Sequence, residues 1–331
     1  MELYEKNGNI LYILNVLKKY SDEDHILSAS EIKKKIEELY GETVDSRTLR
    51  RNINLLKYKL GYDISTYNEN KKGYYISNDP ETDFEPGEVR AIIDNFSYAN
   101  YIVPSIAKNI IKKCRNMQTV YENKKLKDYH IYANDSKTEN VEVIKNIEDI
   151  STSIYENKKL QFEYWKYAIT DKLEKKVVST PTVSPYAIVY SKQEFYLIAI
   201  KEGLNEFYNY RLDRIKNIKI LDDKISIKKN KSEIQDFAES STEMFGGKKE
   251  EIEAVCHVIL LDAIFDTFGR NVTVEKIPDN DEFFKLKVDT NPLGFKMWAM
   301  RNIDLVEVIK PGLLRNEMKK IAENAYEKYN K

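Results

Sequence analysis

The chain has 331 residues, 42% of them hydrophobic and 32% charged, with 53 basic against 54 acidic side chains and a formal net charge of -1. That length exceeds one ordinary core and predicts two or three domains. No apolar run approaches the roughly 18 residues of a membrane span and no hydrophobic block follows the start, so a cytoplasmic protein without a membrane partner is expected. Cys114 and Cys256 are too few and too far apart for a disulfide framework or a zinc site.

The first eighty residues read as three helices and a hairpin. Helix one covers 8 to 20. Helix two follows Ser30 as N-cap, with Ile32, Ile36 and Leu39 inward and Gly41 as stop signal. Helix three starts at an Asp45 or Ser46 cap and places Leu49, Ile53, Leu56 and Leu60 on one stripe. Arg47, Arg51, Asn54 and Tyr58 fall opposite that stripe, and Arg50 and Lys57 flank it. Residues 46 to 60 hold five basic side chains and no acidic one, the residue types that reach phosphates, guanines and adenine edges. A solvated basic face would look the same on an isolated helix. The segment YDISTYNENKKGYYIS, read as strand, turn and strand, completes a winged helix-turn-helix with Lys71 and Lys72 at the wing tip. Candidate DNA contacts are therefore Ser46, Arg47, Arg50, Arg51, Asn54, Tyr58, Lys71 and Lys72, and the partner is a double-stranded operator.

Residues 81 to 140 read as a helical linker, with Pro86 near a helix start and Pro104 as an interruption. A further helix over 141 to 157 leads into strands; the whole stretch suits a dimer arm or a cap on the next domain. Strands are expected at 160–165, 174–180, 183–190, 194–201, 205–212 and 216–221, a small and strongly bent sheet or barrel. The region 158 to 222 is the one net basic part of the chain, with twelve basic against eight acidic residues. Arg211 shares a strand face with Phe207 and Asn209, opposite Tyr208 and Tyr210.

The segments VSPYAIVY, FYLIAI and FYNYRLDRI resemble the WYL domain of bacterial regulators, an Sm-like small barrel, over about 141 to 222. Phe195-Tyr196-Leu197 stands where the family has Trp-Tyr-Leu. Residues 250 to 331, through FGRNVTVEKI, FFKLKVDTNP, FKMWAMR and VEVIKPGLLRNEMKKIAENAYEKY, are similar to the family's C-terminal extension. Arg301-Asn302 departs from a glycine that often precedes its last strand. The resemblance implies a homodimeric, ligand-responsive transcription regulator, taken as a repressor, that senses a nucleotide or oligonucleotide without a cofactor. Ser184, Tyr196, Arg211 and Arg214 would form the anion-binding patch; the alternative is that both arginines pair with Asp213, Glu194 or Glu206.

The expected architecture is thus α+β and multidomain: a winged helix-turn-helix at 1–80, a helical linker at 81–140, the WYL barrel at 141–222, a linker at 223–249 and a C-terminal α+β domain at 250–331. No catalytic or metal site is expected. His25, His130 and His257 sit in no metal-ligand spacing, and Cys256 and His257 point to opposite faces of one strand. Gly246-Gly247-Lys248 lacks the strand that a phosphate loop needs. A second reading is an accessory protein that docks RNA or an effector through its WYL domain without sequence-specific DNA binding.

Overall fold

The computed structural model describes residues 2–79, 81, 83–126, 137–169, 173–191, 193–240 and 249–330. His130 and the Gly246-Gly247-Lys248 segment, like parts of both expected linkers, lie outside them. The fold is mixed α+β and divides into two compact units, Met1–Lys137 and Thr138–Lys331.

The first unit begins with α1 (Glu2–Tyr20), α2 (Ala29–Tyr40) and α3 (Ser46–Tyr58). Ile13, Leu17, Ile32, Ile36, Leu49, Ile53 and Leu56 close its core, a burial worth roughly 1.5–3 kcal/mol for each such side chain. The cap of α2 is Ser28, not Ser30: its hydroxyl accepts from Glu31 N at 3.2 Å while the Glu31 carboxylate accepts from Ser28 N at 2.7 Å. Only Ser28 has a glutamate three residues on, and that reciprocal pair decides the start. Leu39 and Leu60 are not in the core; they are 47% and 58% exposed. The buried stripe of α2 ends at Ile36; the exposed Tyr40 one turn on stacks its ring on Tyr12 at 4.3 Å. Leu60 lies past the last turn of α3, where Gly61 reverses the chain at φ 78°.

The hairpin consists of β1 (Ile64–Ser65), a one-turn helix α4 (Tyr67–Asn70) and β2 (Tyr75–Ile76). Ser21 ties it to the end of α1, its hydroxyl donating to Leu17 O and accepting from Ile76 N. Leu27 and Tyr74 exchange two backbone hydrogen bonds of 2.9 and 2.7 Å. Three further helices, α5 (Pro86–Tyr98), α6 (Pro104–Arg115) and α7 (Val120–Lys125), belong to this unit, with Val89, Ile93, Cys114 and Leu126 between them. Pro86 and Pro104 both open helices, where a missing N–H does no harm.

In the second unit, α8 (Val143–Glu156) is followed by β3 (Lys158–Ile169), β4 (Leu173–Ser179), β5 (Thr182–Ser191), β6 (Glu194–Lys201), β7 (Phe207–Arg211) and β8 (Ile215–Lys224). Their order is β4-β3-β5-β6-β7, with β8 on β3. The long β3 is shared along its length, for Leu160 pairs with both Val183 and Ile220 while Tyr164 pairs with both Ser179 and Ile215. Register shifts on β3 bend it, and the sheet curls into a half-barrel around Leu160, Phe162, Leu197, Ile198 and Ile215. Helix α8 packs on this sheet. The amides of Asn140 and Asn146 both donate to Ile215 O at 2.8 Å, and Asn140 also reaches Asp213 O at 3.0 Å.

After α9 (Lys231–Ser240) come β9 (Glu250–His257), α10 (Leu261–Phe268), β10 (Thr273–Ile277), β11 (Asn280–Thr290), α11 (Pro292–Arg301), β12 (Val306–Lys310) and α12 (Gly312–Tyr329). The four strands form an antiparallel sheet in the order β10-β11-β9-β12. One face, with Ala254, Cys256, Leu286 and Val308, packs against Phe295, Trp298 and Leu314 of the helices.

One glycine is required by space. A Cβ on Gly73 would stand 2.3 Å from Leu27 O, inside the bridge that anchors the hairpin. Gly73→Ala should therefore lose about 1–3 kcal/mol of stability in denaturant unfolding. Gly87→Ala, where a Cβ meets nothing within 4 Å near the start of α5, should be neutral or gain up to about 1 kcal/mol.

Candidate functional site

Two clusters of charge stand out, one in each unit. On α3, Asp45 fixes the first turn: its carboxylate accepts from Arg47 N, Thr48 N and the Thr48 hydroxyl at 2.7–2.9 Å. The Thr48 hydrogen bonds hold that carboxyl below its ordinary pKa. Ser46, Arg47, Arg50, Arg51, Asn54 and Tyr58 are all exposed, Tyr58 by 70%. Lys57 is different. Its ammonium donates to Ile64 O at 2.7 Å and to Glu69, so it serves as a strut between α3 and the hairpin. Glu69 in turn accepts from Thr66 N and the Thr66 hydroxyl, both at 2.8 Å. The Lys57 hydrogen bond, with those of Thr66, pushes the Glu69 carboxyl down to about 2.

The hairpin tip separates the two lysines expected there. Lys71 takes a left-handed φ of 58° and folds its ammonium back onto Asn68 O at 2.8 Å. Lys72 is exposed and lines a cleft of about 600 Å³ between the start of α2, α3 and the hairpin. Three cations, Lys33, Arg50 and Lys72, and three tyrosines, Tyr58, Tyr67 and Tyr74, line it, and no carboxylate does. Lys33 and Tyr67 did not stand out in the sequence; Lys33 comes from the first turns of α2, and Tyr67 is brought here by the helical turn of α4, whose signal is the Thr66-x-x-Glu69 capping box.

In the second unit, Arg211 lies opposite Tyr196 in the β6–β7 register. Its Nε and Nη2 donate to Asp213 at 2.9 and 2.8 Å, and Nη2 also donates to Glu194 at 2.6 Å. Internal pairing therefore holds for Arg211. Burial alone would lower its pKa, but hydrogen bonding and attraction from Asp213, with the charge of Glu194, outweigh that and raise it. Glu194 is 8% exposed, and its Oε2 has no hydrogen-bond partner among the described residues. Burial first, then the Asp213 charge, lift the Glu194 carboxyl to about 7 against the opposing pull of Arg211 and Arg214. Arg214 is half-buried beside the Tyr164 hydroxyl and near Glu194 and Tyr196, and no ion pair holds it among the described residues.

Ser184 does not join this cluster. It pairs with Ile200, four residues along β6 from Tyr196 and so about 13 Å away. It is buried, and its hydroxyl accepts from Ser226 N at 3.1 Å. The two described histidines are engaged elsewhere: His25 contacts Asp22 at 2.6 Å and stacks on Tyr121 at 3.4 Å, and His257 accepts from Ile259 N. Among the described residues no group of His, Cys, Asp and Glu has the arrangement of a metal site, and no helix is long and apolar enough to cross a membrane.

The WYL domain family model matches residues 145–220. No curated protein matches the chain. Among solved structures, the proteasome accessory factor B/C (PafBC) of Arthrobacter aurescens is 13% identical, with a TM-score of 0.27, over 98% of this chain and 49% of that one. A CRISPR Cas-related protein is 14% identical, with a TM-score of 0.35, over 98% of this chain and 85% of that one. The chain spans about half the length of PafBC.

The Lys57–Glu69 strut has a pH signature. A carboxyl depressed on folding stabilises the protein above its unfolded pKa, and loses that effect as pH falls toward its folded value. The thermal midpoint of Glu69→Gln should lie below that of the wild type at pH 7, and the gap should shrink as pH drops from about 4.5 toward 2. Scanning calorimetry across that range checks it.

Proposed function

We propose that the chain is a DNA-binding regulator whose winged helix-turn-helix lies within the first unit and whose WYL domain takes an anionic nucleotide or oligonucleotide. The observation that carries this reading is the cleft beside α3, lined by three cations and Asn54 with no carboxylate along its wall, beside exposed Arg47 and Arg51 on the same helix. A duplex presents one negative charge per roughly 1.7 Å of its axis, and a concave surface without acids is what such a polyanion requires. Arg47, Arg51 and Asn54 are assigned to base edges. Arg50, Lys33, Lys72 and Tyr58 are assigned to phosphates. In the WYL domain, Arg214 beside Tyr196 is the guanidinium assigned to the ligand.

On this reading the protein works as a cytoplasmic repressor and a homodimer, without enzymatic activity or cofactor. A single winged helix spans too few base pairs for useful specificity, and two half-sites whole turns apart require two copies. Light scattering at micromolar concentration should give twice the 38.9 kDa of one chain; a value of one chain, with and without DNA, would remove the dimer.

Gel shifts with DNA from upstream of the protein's own coding sequence test the interface. Arg47→Ala or Arg51→Ala should lose about 1–3 kcal/mol of operator binding if the residue reads a guanine. Lys72→Ala should weaken all sequences alike and flatten the salt dependence by about one unit of slope. Full operator affinity in both arginine variants at physiological salt would exclude α3 as the reader.

A further inference from the structure

The start of β6 and the turn after β7 bring two carboxylates and two guanidiniums together within the curled sheet. The fork of Arg211 is already occupied. Asp213 takes it through two nitrogens and Glu194 through one, with side chains only 14% and 11% exposed. An external anion must compete with these carboxylates, and they are not equal. Asp213 holds on at two points, and its backbone carbonyl is tied to Asn140. Glu194 holds by a single contact, and its other oxygen is buried with no hydrogen-bond partner among the described residues. A buried carboxylate with half its hydrogen-bonding capacity unmet is the weaker member of the pair.

We propose that the Glu194–Arg211 contact is a proton-linked lock on the anion site: uptake of a solvent proton by Glu194 releases one N–H of Arg211 Nη2, which then joins Arg214 in gripping an external phosphodiester. This rests on the reading of Arg214 and Tyr196 as the ligand site. Among the described residues, the charged and titratable groups around Glu194 are Arg211 on β7, Asp213 and Arg214 in the turn that follows, and Tyr196 on its own strand; its β5 partner, Ser191, does not titrate. The Glu194 carboxyl, lifted to about 7, changes charge within the physiological range. An anion bound beside it favours the protonated form, so binding strengthens as pH falls. With the competent form about nine-tenths populated at pH 6 and about one-tenth at pH 8, apparent affinity changes about tenfold between them.

The probe is single-stranded oligothymidylate of six nucleotides, because neither its diester groups nor thymine titrates in this range. Binding to the full chain is measured by calorimetry at constant ionic strength at pH 6, 7 and 8, and only the part abolished by Arg214→Ala is counted, which excludes the α3 face. The wild type should weaken about tenfold from pH 6 to pH 8. Glu194→Gln should bind at pH 8 as the wild type does at pH 6, without pH dependence. Arg214-dependent binding that is flat in the wild type, or that keeps the wild-type slope in Glu194→Gln, overturns the lock while leaving the anion site standing. No Arg214-dependent binding at any pH overturns the site and the lock together. The wild-type series decides between these outcomes even if the variant fails to fold.

Discussion

A guanidinium taken out of water must be met by charge within hydrogen-bonding reach, and the curled sheet of the second unit is organised around that requirement at Arg211. The residue ends β7, where the apolar strand β6 with Leu197, Ile198 and Ala199 leaves little water beside it. Its partners come from both directions of the chain, Asp213 from the turn immediately after and Glu194 from the start of the neighbouring strand. Neither would be in place without the register that sets Tyr196 against Arg211. The turn itself is held from outside the sheet, by Asn140 and Asn146 on the carbonyls of Asp213 and Ile215. Two buried amides, one just before α8 and one within it, thus fix the backbone that carries one carboxylate and the second arginine.

The first unit solves the opposite problem, which is how to keep cations in water while holding their backbone still. Lys57 is the one basic side chain of α3 that turns back, and its bonds to Ile64 O and Glu69 set the distance between the helix and the hairpin. Glu69 can do this because it also closes the cap of α4 through Thr66. The hairpin is then pinned on its other edge by the Leu27–Tyr74 bridge, which passes so close to Gly73 that no side chain fits. The cleft between these elements is therefore shaped by the Lys57–Glu69 strut and the Leu27–Tyr74 backbone bridge, neither of which uses the cations that line it.

Much of this was legible in the sequence, for identifiable reasons. The start of α3 follows from Asp45 and its inward face from the apolar stripe, and the six strands of the curled sheet fall within a few residues of their expected places because alternation and turn residues are clear. Local rules failed where two of them competed. Ser28 and Ser30 both suit a helix start, and only the glutamate three residues after Ser28 separates them. Leu60 continues the period of α3 but lies beyond its end. The family resemblance groups Ser184 with Tyr196 and Arg211, whereas the ladder puts it beside Ile200. The pairing of Arg211 was left open between ligand and internal acid because Glu194 lies 17 residues away, and only the fold brings it near.

The two sites also differ in which solvent variable can act on them. At the α3 cleft Arg50 and Lys72 are exposed and Lys33 is half-buried, so their interaction with a polyanion passes largely through water and is screened over a Debye length of about 8–10 Å; counterions are the competing species. At Arg211 the competing species are carboxylates of the protein itself, mostly sheltered from solvent, where salt screens weakly and like charges in close company raise one another's affinity for protons. Burial of Glu194 beside Asp213 therefore converts what would be a permanent ion pair into one whose strength depends on a proton. Without Asp213, burial alone would still lift the Glu194 carboxyl, but by less, and the contact would open only at lower pH.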